Sequence, residues 1–148
     1  MYKNILIATD GSDLAGKAVA QGLALARQLN AKATAIFVTE PWNAMAMAAL
    51  AERSVRNPVA DYDERAAAVA RDVLGLVSEA AKKQEVACTV VHVKDRYPAE
   101  GIVETAKERG CDLIVMASHG HRGLSKLLLG SQAHKVVTLS TLPVLVCR

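Results

Sequence analysis

The sequence predicts an α/β domain built on a doubly wound, five-stranded parallel sheet. Three observations lead there: short β-branched apolar segments recur along the chain, helical periodicities lie between them, and the links are short. Most of the segments are continuously apolar rather than alternating, as strands covered by helices on both faces must be. At 148 residues the chain fits one domain, spanning 1–148, with one substantial core.

The first strand is expected from Asn4 to Thr9 and the second from Ala33 to Val38. Val86 to Val93 alternates more, with Val86, Val91 and Val93 set among Cys88, Thr89 and His92, which suits a strand nearer the sheet edge. Leu113–Met116 and Val144–Val146 complete the set. Between the first two strands Ala15, Ala18, Val19, Gly22, Leu25, Ala26 and Leu29 recur at helical spacing, with Ser12 or Asp13 as the N-cap. A longer helix is expected from about Asp61 to Lys83, presenting Ala66, Val69, Ala70, Val73, Leu76, Val77 and Ala80 on one face. A third starts at Pro98, carries Ile102, Val103 and Ala106, and is ended by Gly110. The last starts near Ser131 and carries Val136, Val137 and Leu139, before Pro143 opens the final strand. From Glu40 to Ala60 the pattern is weakest. A partly helical excursion and a surface loop both fit it, and the loop is the favoured reading.

The composition is 51% hydrophobic and 22% charged, which excludes disorder, and the 3% of aromatic residues leaves no stacking platform for single-stranded nucleic acid. The net charge of +3 arises from bases interleaved with acids, without the basic stripe that DNA binding requires. No signal peptide is visible, and the apolar runs Ile5–Ala8 and Ala44–Ala51 are too short to span a membrane. Cys88, Cys111 and Cys147 are odd in number and widely spaced, so they form neither a disulfide framework nor a metal-ligand pattern. Buried or half-buried thiols in a reducing cytoplasm are expected.

In a doubly wound sheet, ligands bind beyond the carboxyl ends of the strands, where strand order reverses. That rule gathers Thr9-Asp10, Val38-Thr39 and Met116 to Gly120 around one crevice. Two glycine-rich stretches compete for a phosphate-binding role. Gly11 to Lys17 mimics a P-loop, but Ala18 stands where a metal-ligating hydroxyl belongs, Asp10 and Asp13 would repel phosphate, and Gly16 and Lys17 fall inside a helix. The second stretch is Ala117-Ser118-His119-Gly120, nine residues, then Gly130-Ser131. It leads from a strand to a helix start, whose unpaired N–H groups favour anions by about 0.3–1 kcal/mol each. Gly130 allows close approach to the backbone, Ser131 either caps the helix or donates its hydroxyl, and Arg122 and Lys126 add charge. The same residues also read as plain turn glycines, Gly120 and Gly123, followed by an ordinary N-cap. Spacing alone leaves both readings open.

With these residues in view, the chain resembles the universal stress protein family over essentially all of its length. The likeness is strongest in Asn4 to Ser12 (NILIATDGS) and in Asp112 to Val146, which contains ASHGHRGLSKLLLGS. The resemblance implies a Rossmann-like fold of the adenine nucleotide alpha hydrolase type. The family's nucleotide-binding branch carries Gly, two residues, Gly, nine residues, then Gly-Ser or Gly-Thr. Gly120, Gly130 and Ser131 match that pattern, and Ala117 departs from it. One methyl group is tolerated there if the backbone angles suit alanine, and not if φ is positive. By the same resemblance Asp10 contacts the base or ribose side of ATP, Val38 offers backbone hydrogen bonds to adenine, and Met116 helps wall the base. Gly120, Gly130, Ser131 and Gln132 hold the phosphates, and Ala8, Thr9, Ala117, His119 and Arg122 complete the nucleotide-binding set. Mg or Mn arrives with the triphosphate and not in a protein cage. His119 and His121 are expected to pack the loop or face solvent rather than act as catalytic bases.

The resemblance also implies a homodimer through the last strand, with Pro143, Val144, Leu145 and Val146 at the interface. The expected function is an ATP-binding, homodimeric regulatory stress-response module of the cytoplasm. It would act on a protein partner still to be identified, without nucleic acid or membrane. Two other functions compete with it. One is a slow Mg-dependent ATPase, for which no arranged base, Ser-His-Asp spacing or G-x-S-x-G elbow is present. The other is an interaction module that binds no nucleotide, in which Ala117 marks a lost site.

Overall fold

A computed structural model of the chain describes residues 1–121 and 128–148. In chain order the elements are β1 (Asn4–Ala8), α1 (Asp13–Leu29), β2 (Lys32–Val38), α2 (Ala44–Glu52) and α3 (Pro58–Lys83). They continue as β3 (Cys88–Val93), α4 (Pro98–Glu108), β4 (Leu113–Ala117), α5 (Ser131–Leu139) and β5 (Val144–Cys147). The five strands form one parallel sheet in the order β3-β2-β1-β4-β5. The doubly wound arrangement expected from the sequence is therefore present, and β3 is indeed an edge strand.

Side chains alternate across the sheet and so divide the core in two. Ile5, Ile7, Ala33, Ala35, Leu113 and Val115 face α1 and α3, while Leu6, Ala8, Ile36, Ile114 and Met116 face α4 and α5. Small residues set the spacing. A Cβ on Gly22 of α1 would lie 2.8 Å from Ile7 Cδ1, so this glycine lets the helix settle directly onto β1. Ser12 caps α1 by accepting the Ala15 N–H at 3.3 Å, and Asn30 closes it in a left-handed conformation.

Four expectations need correction. Residues 44–52 are helical, not loop: α2 is capped by Asn43, whose side chain accepts the Ala46 N–H at 3.0 Å. Its run of Ala, Met and Leu has high intrinsic helix propensity even though apolar residues lie all around it. The helix after it begins at Pro58, its first residue, rather than near Asp61. Its buried stripe is Ala70, Leu74, Val77 and Ala81, whereas Leu76 and Val69 are exposed. In an alanine-rich helix, Leu74 with Val77 and Val73 with Leu76 give almost the same periodicity, and the sheet selects the first. On α5, likewise, Ala133 and Val136 are buried while Val137 and Leu139 face outward.

The three cysteines are free, with Cys111 and Cys147 buried and Cys88 half-buried. Burial pushes all three thiols above their ordinary pKa, which suppresses the reactive thiolate. Among the described residues no helix is long and apolar enough to cross a membrane.

Candidate functional site

From β1 the chain turns to α1 on one face of the sheet, and from β4 it leads to α5 on the other. The carboxyl ends of these two neighbouring strands therefore border a crevice. One wall is the turn Thr9–Ser12. The Thr9 N–H donates to Ile36 C=O at 3.0 Å, the Gly11 N–H to Thr9 Oγ1 at 3.2 Å, and the Ser12 N–H to Asp10 Oδ1 at 3.0 Å. Gly11 adopts φ +81°, which a side chain would strain, and this sharp turn fixes the Asp10 carboxylate at the end of β1.

The opposite wall reaches back to that carboxylate. The His121 N–H donates to Asp10 Oδ2 at 3.0 Å, and the His121 ring, through Nε2, pairs with the Asp10 carbonyl at 2.9 Å. Gly120 lies so close that a Cβ there would collide with Asp10 Oδ2. Burial by itself raises the Asp10 pKa, but hydrogen bonds from Ser12 and His121, together with the His121 charge, outweigh it and hold the carboxyl below its ordinary value.

The loop is closed at its base by backbone. Ser118 N–H donates to Cys147 C=O on β5 at 2.7 Å, and Ser118 C=O accepts the Gly130 N–H at 2.8 Å. A Cβ on Gly130 would stand 2.5 Å from that same Ser118 oxygen and 3.4 Å from His119 Cα. Backbone atoms cannot yield there, so the fold itself demands glycine at 130. Gly130 serves as the N-cap of α5, and Ser131 is the first helical residue. Of the two roles open to Ser131, capping is thus excluded, and its exposed hydroxyl is available to a ligand. No side chain caps α5, and its first turn carries no acidic residue. The N–H groups at this helix start therefore present partial positive charge to the crevice. Gln132 Oε1 is buried there without a hydrogen-bond partner among the described residues.

Ala117 closes β4 in extended backbone, paired with Cys147, and it is not among the residues with positive φ. Its methyl packs into the core on the α1 side. The departure from glycine therefore causes no backbone strain. Val38 ends β2, where Thr39 N–H bonds to Val93 C=O on β3 at 2.8 Å. Alternation along the strand turns the N–H and C=O of Val38 the other way, toward the end of β1. Ala8, Thr9 and Met116 are buried around this point, Met116 in the core under α5. His119 Nδ1 pairs with Ser118 Oγ at 3.0 Å. Arg122, Gly123 and Lys126 lie outside the described residues. The rejected P-loop look-alike does end inside α1, with Gly16 N–H bonded to Ser12 C=O at 2.9 Å.

The sequence hid two features of this end of the molecule. One is the contact of His121 with Asp10, which joins residues 111 positions apart. The other is a cavity of about 490 Å³ between α2, α3 and the end of β2, walled by Phe37, Met47, Leu50, Val55, Tyr62 and Val69. It touches Val38 but none of Asp10, Ala117–Gly120 or Gly130–Gln132. Across its floor the Tyr62 hydroxyl donates to Glu40 C=O at 2.8 Å. Among the described residues no cluster of three or more His, Cys, Asp or Glu could hold a metal ion.

The universal stress protein family model matches residues 1–148, the whole chain. The chain belongs to the universal stress protein family. The universal stress protein YxiE of Bacillus subtilis is 34% identical over 152 residues, covering 100% of both chains. Among solved structures, MJ0577 of Methanocaldococcus jannaschii superimposes with a TM-score of 0.81 at 26% identity, covering 99% of this chain and 96% of that one. A universal stress protein solved in complex with cAMP gives a TM-score of 0.70 at 24% identity, covering 99% of this chain and 97% of the other.

Proposed function

We propose that this universal stress protein binds ATP in the crevice between β1 and β4 and works as a homodimeric, regulatory stress-response domain of the cytoplasm. One observation carries the reading: the loop that leaves β4 returns through Gly130 to a helix start without a side-chain cap, at a position where any Cβ would strike Ser118 C=O. Helix amides without acidic neighbours suit phosphate, and the Ser131 hydroxyl adds a donor. Adenine would lie at the end of β2 against the outward N–H and C=O of Val38, with Asp10 on the ribose side. Ala8, Thr9, Met116, Ala117, His119, Gly120, Arg122 and Gln132 complete the proposed set. The fold's capacity for an adenine nucleotide is supported by the neighbour solved with cAMP.

The metal, Mg or Mn, would ride on the triphosphate. Both loop imidazoles engage protein atoms, His119 with Ser118 and His121 with Asp10, which favours binding over hydrolysis. The dimer would form along β5, which among the described residues pairs only with β4, through Pro143, Val144, Leu145 and Val146. Exposed Leu145 together with Val137 and Leu139 of α5 supports burial of this edge. A protein partner would read the loop in its ATP-bound form.

Calorimetric titration of Mg-ATP into protein stripped of nucleotide tests the reading. A saturable heat at one site per chain is expected, and absence of heat with absence of any thermal shift overturns it.

A further inference from the structure

We infer that His121 is a positioning residue: it clasps the start of the glycine loop onto the end of β1 and so sets the phosphate cradle before any ligand arrives. The inference rests on the ATP-binding reading for its purpose, but the clasp itself belongs to the nucleotide-free protein.

Three contacts meet at Asp10. Its Oδ1 accepts the Ser12 N–H at 3.0 Å and its Oδ2 accepts the His121 N–H at 3.0 Å, while its carbonyl is 2.9 Å from His121 Nε2. His121 thus grips one residue twice, once by backbone and once by ring. For the ring contact to be a hydrogen bond, Nε2 must carry the proton, because a carbonyl oxygen only accepts. This leaves neither the His121 N–H nor Nε2–H free to meet a phosphate. The residue acts on the ligand only through where it holds Gly120, whose missing Cβ is what lets the loop come this close to Asp10.

The other end of the cradle is already fixed. Ser118 is tied by its N–H to β5 and by its carbonyl to Gly130. Without the clasp, the segment after Ser118 would be anchored at one side only. With it, Gly120 is held between two bonded points, Ser118 and His121. Asp10 remains competent toward a ligand, since each carboxylate oxygen has a second lone pair.

The test uses the full-length protein with His121→Leu, which removes the ring donor, and His121→Gln, whose amide N–H reaches a similar distance. His121 is exposed, so both variants should fold, which thermal unfolding checks. In nucleotide-free protein, amide hydrogen exchange at 119–121 should speed up in the Leu variant and return toward wild type in the Gln variant. Mg-ATP affinity should fall about fivefold in the Leu variant, the worth of one ordinary hydrogen bond. Adenosine affinity should stay unchanged, because adenosine has no phosphate to feel the loop. Wild-type exchange in the Leu variant overturns the clasp, even if ATP binds. An equal loss of ATP and adenosine affinity overturns the positioning role. If no variant, wild type included, binds ATP while exchange responds as expected, the clasp stands and the ATP reading alone fails.

Discussion

Two parts of the carboxyl end of this sheet solve different problems. Around Asp10, Gly120 and Gly130 the approaches are close, Gly120 against the Asp10 carboxylate and Gly130 against the Ser118 carbonyl, and hydrogen bonds of 2.7–3.2 Å fix the turns. Around α2 and the first turns of α3, contact is sparse. Only Met47 of α2 is buried, Trp42 and Met45 remain exposed, and the exposed Leu50 and Val69 border a cavity of about 490 Å³. Length explains the second region. The 26 residues of α3 run about 39 Å, whereas β2 beneath it has seven residues and spans about 23 Å. The first turns of α3 therefore stand beyond the sheet, and α2 leans on them instead of on a core. A rigid cradle and a loosely packed arm share one rim, with Val38 between them.

The contrast is broken most severely at the rigid side. Gly130→Val drives a branched side chain into Ser118 C=O, so unfolding in urea should show a loss of about 2 kcal/mol or more. Mg-ATP affinity should fall by about 100-fold, the equivalent of one strong charge-assisted hydrogen bond. A variant of wild-type stability and affinity would remove the steric basis of the site.

On the loose side, Met47→Ala should cost only about 1 kcal/mol by the same urea assay, below the usual range for a buried methionine, because its wall already borders open space. Its ATP affinity should match wild type. A coupled loss of binding would show that the arm and the cradle act as one unit.

The smallest effect concerns pH. Asp10 is held below its ordinary pKa of 3.8, so folding favours its charged form. Its contribution is fully present above the unfolded pKa and is lost as pH falls through the lower, folded value. Asp10→Asn should therefore flatten the acid loss of stability below about pH 4, by a few tenths of a kcal/mol for a half-buried group still reached by solvent. Parallel pH curves for wild type and variant would contradict the assigned environment.

The sheet was legible because strands covered on both faces must be continuously apolar, and Ile5–Ala8 and Leu113–Met116 have few other ways to fold. The Asp10 turn and the loop at Ala117–Ser131 were legible as a motif, and the steric cause behind it was not. Gly120 stands against the Asp10 carboxylate and Gly130 is required by the Ser118 backbone, which are contacts of the folded chain. The α2 helix was missed because Ala44–Ala51 is apolar in every direction and so lacks a periodic signal. The phase of α3 was misread at Leu76 because its alanines make two faces look alike. The pairing of His121 with Asp10 left no trace in local sequence, since the two residues meet only when β1 and β4 do.

That last meeting has a bearing on how the molecule is made. The central strand is synthesised before the other four, yet its partner on one side, Leu113 against Ile5, follows more than a hundred residues later. The β1–β2–β3 half can assemble from near neighbours in sequence, while closure onto β4 carries the entropy of a long loop and high contact order. On a ribosome, the half-sheet would wait with β1 exposed along one edge until residue 117 had cleared the exit tunnel. The crevice is thus among the last parts of the fold to come into being, and a nascent chain acquires it only when almost all of its other contacts are in place.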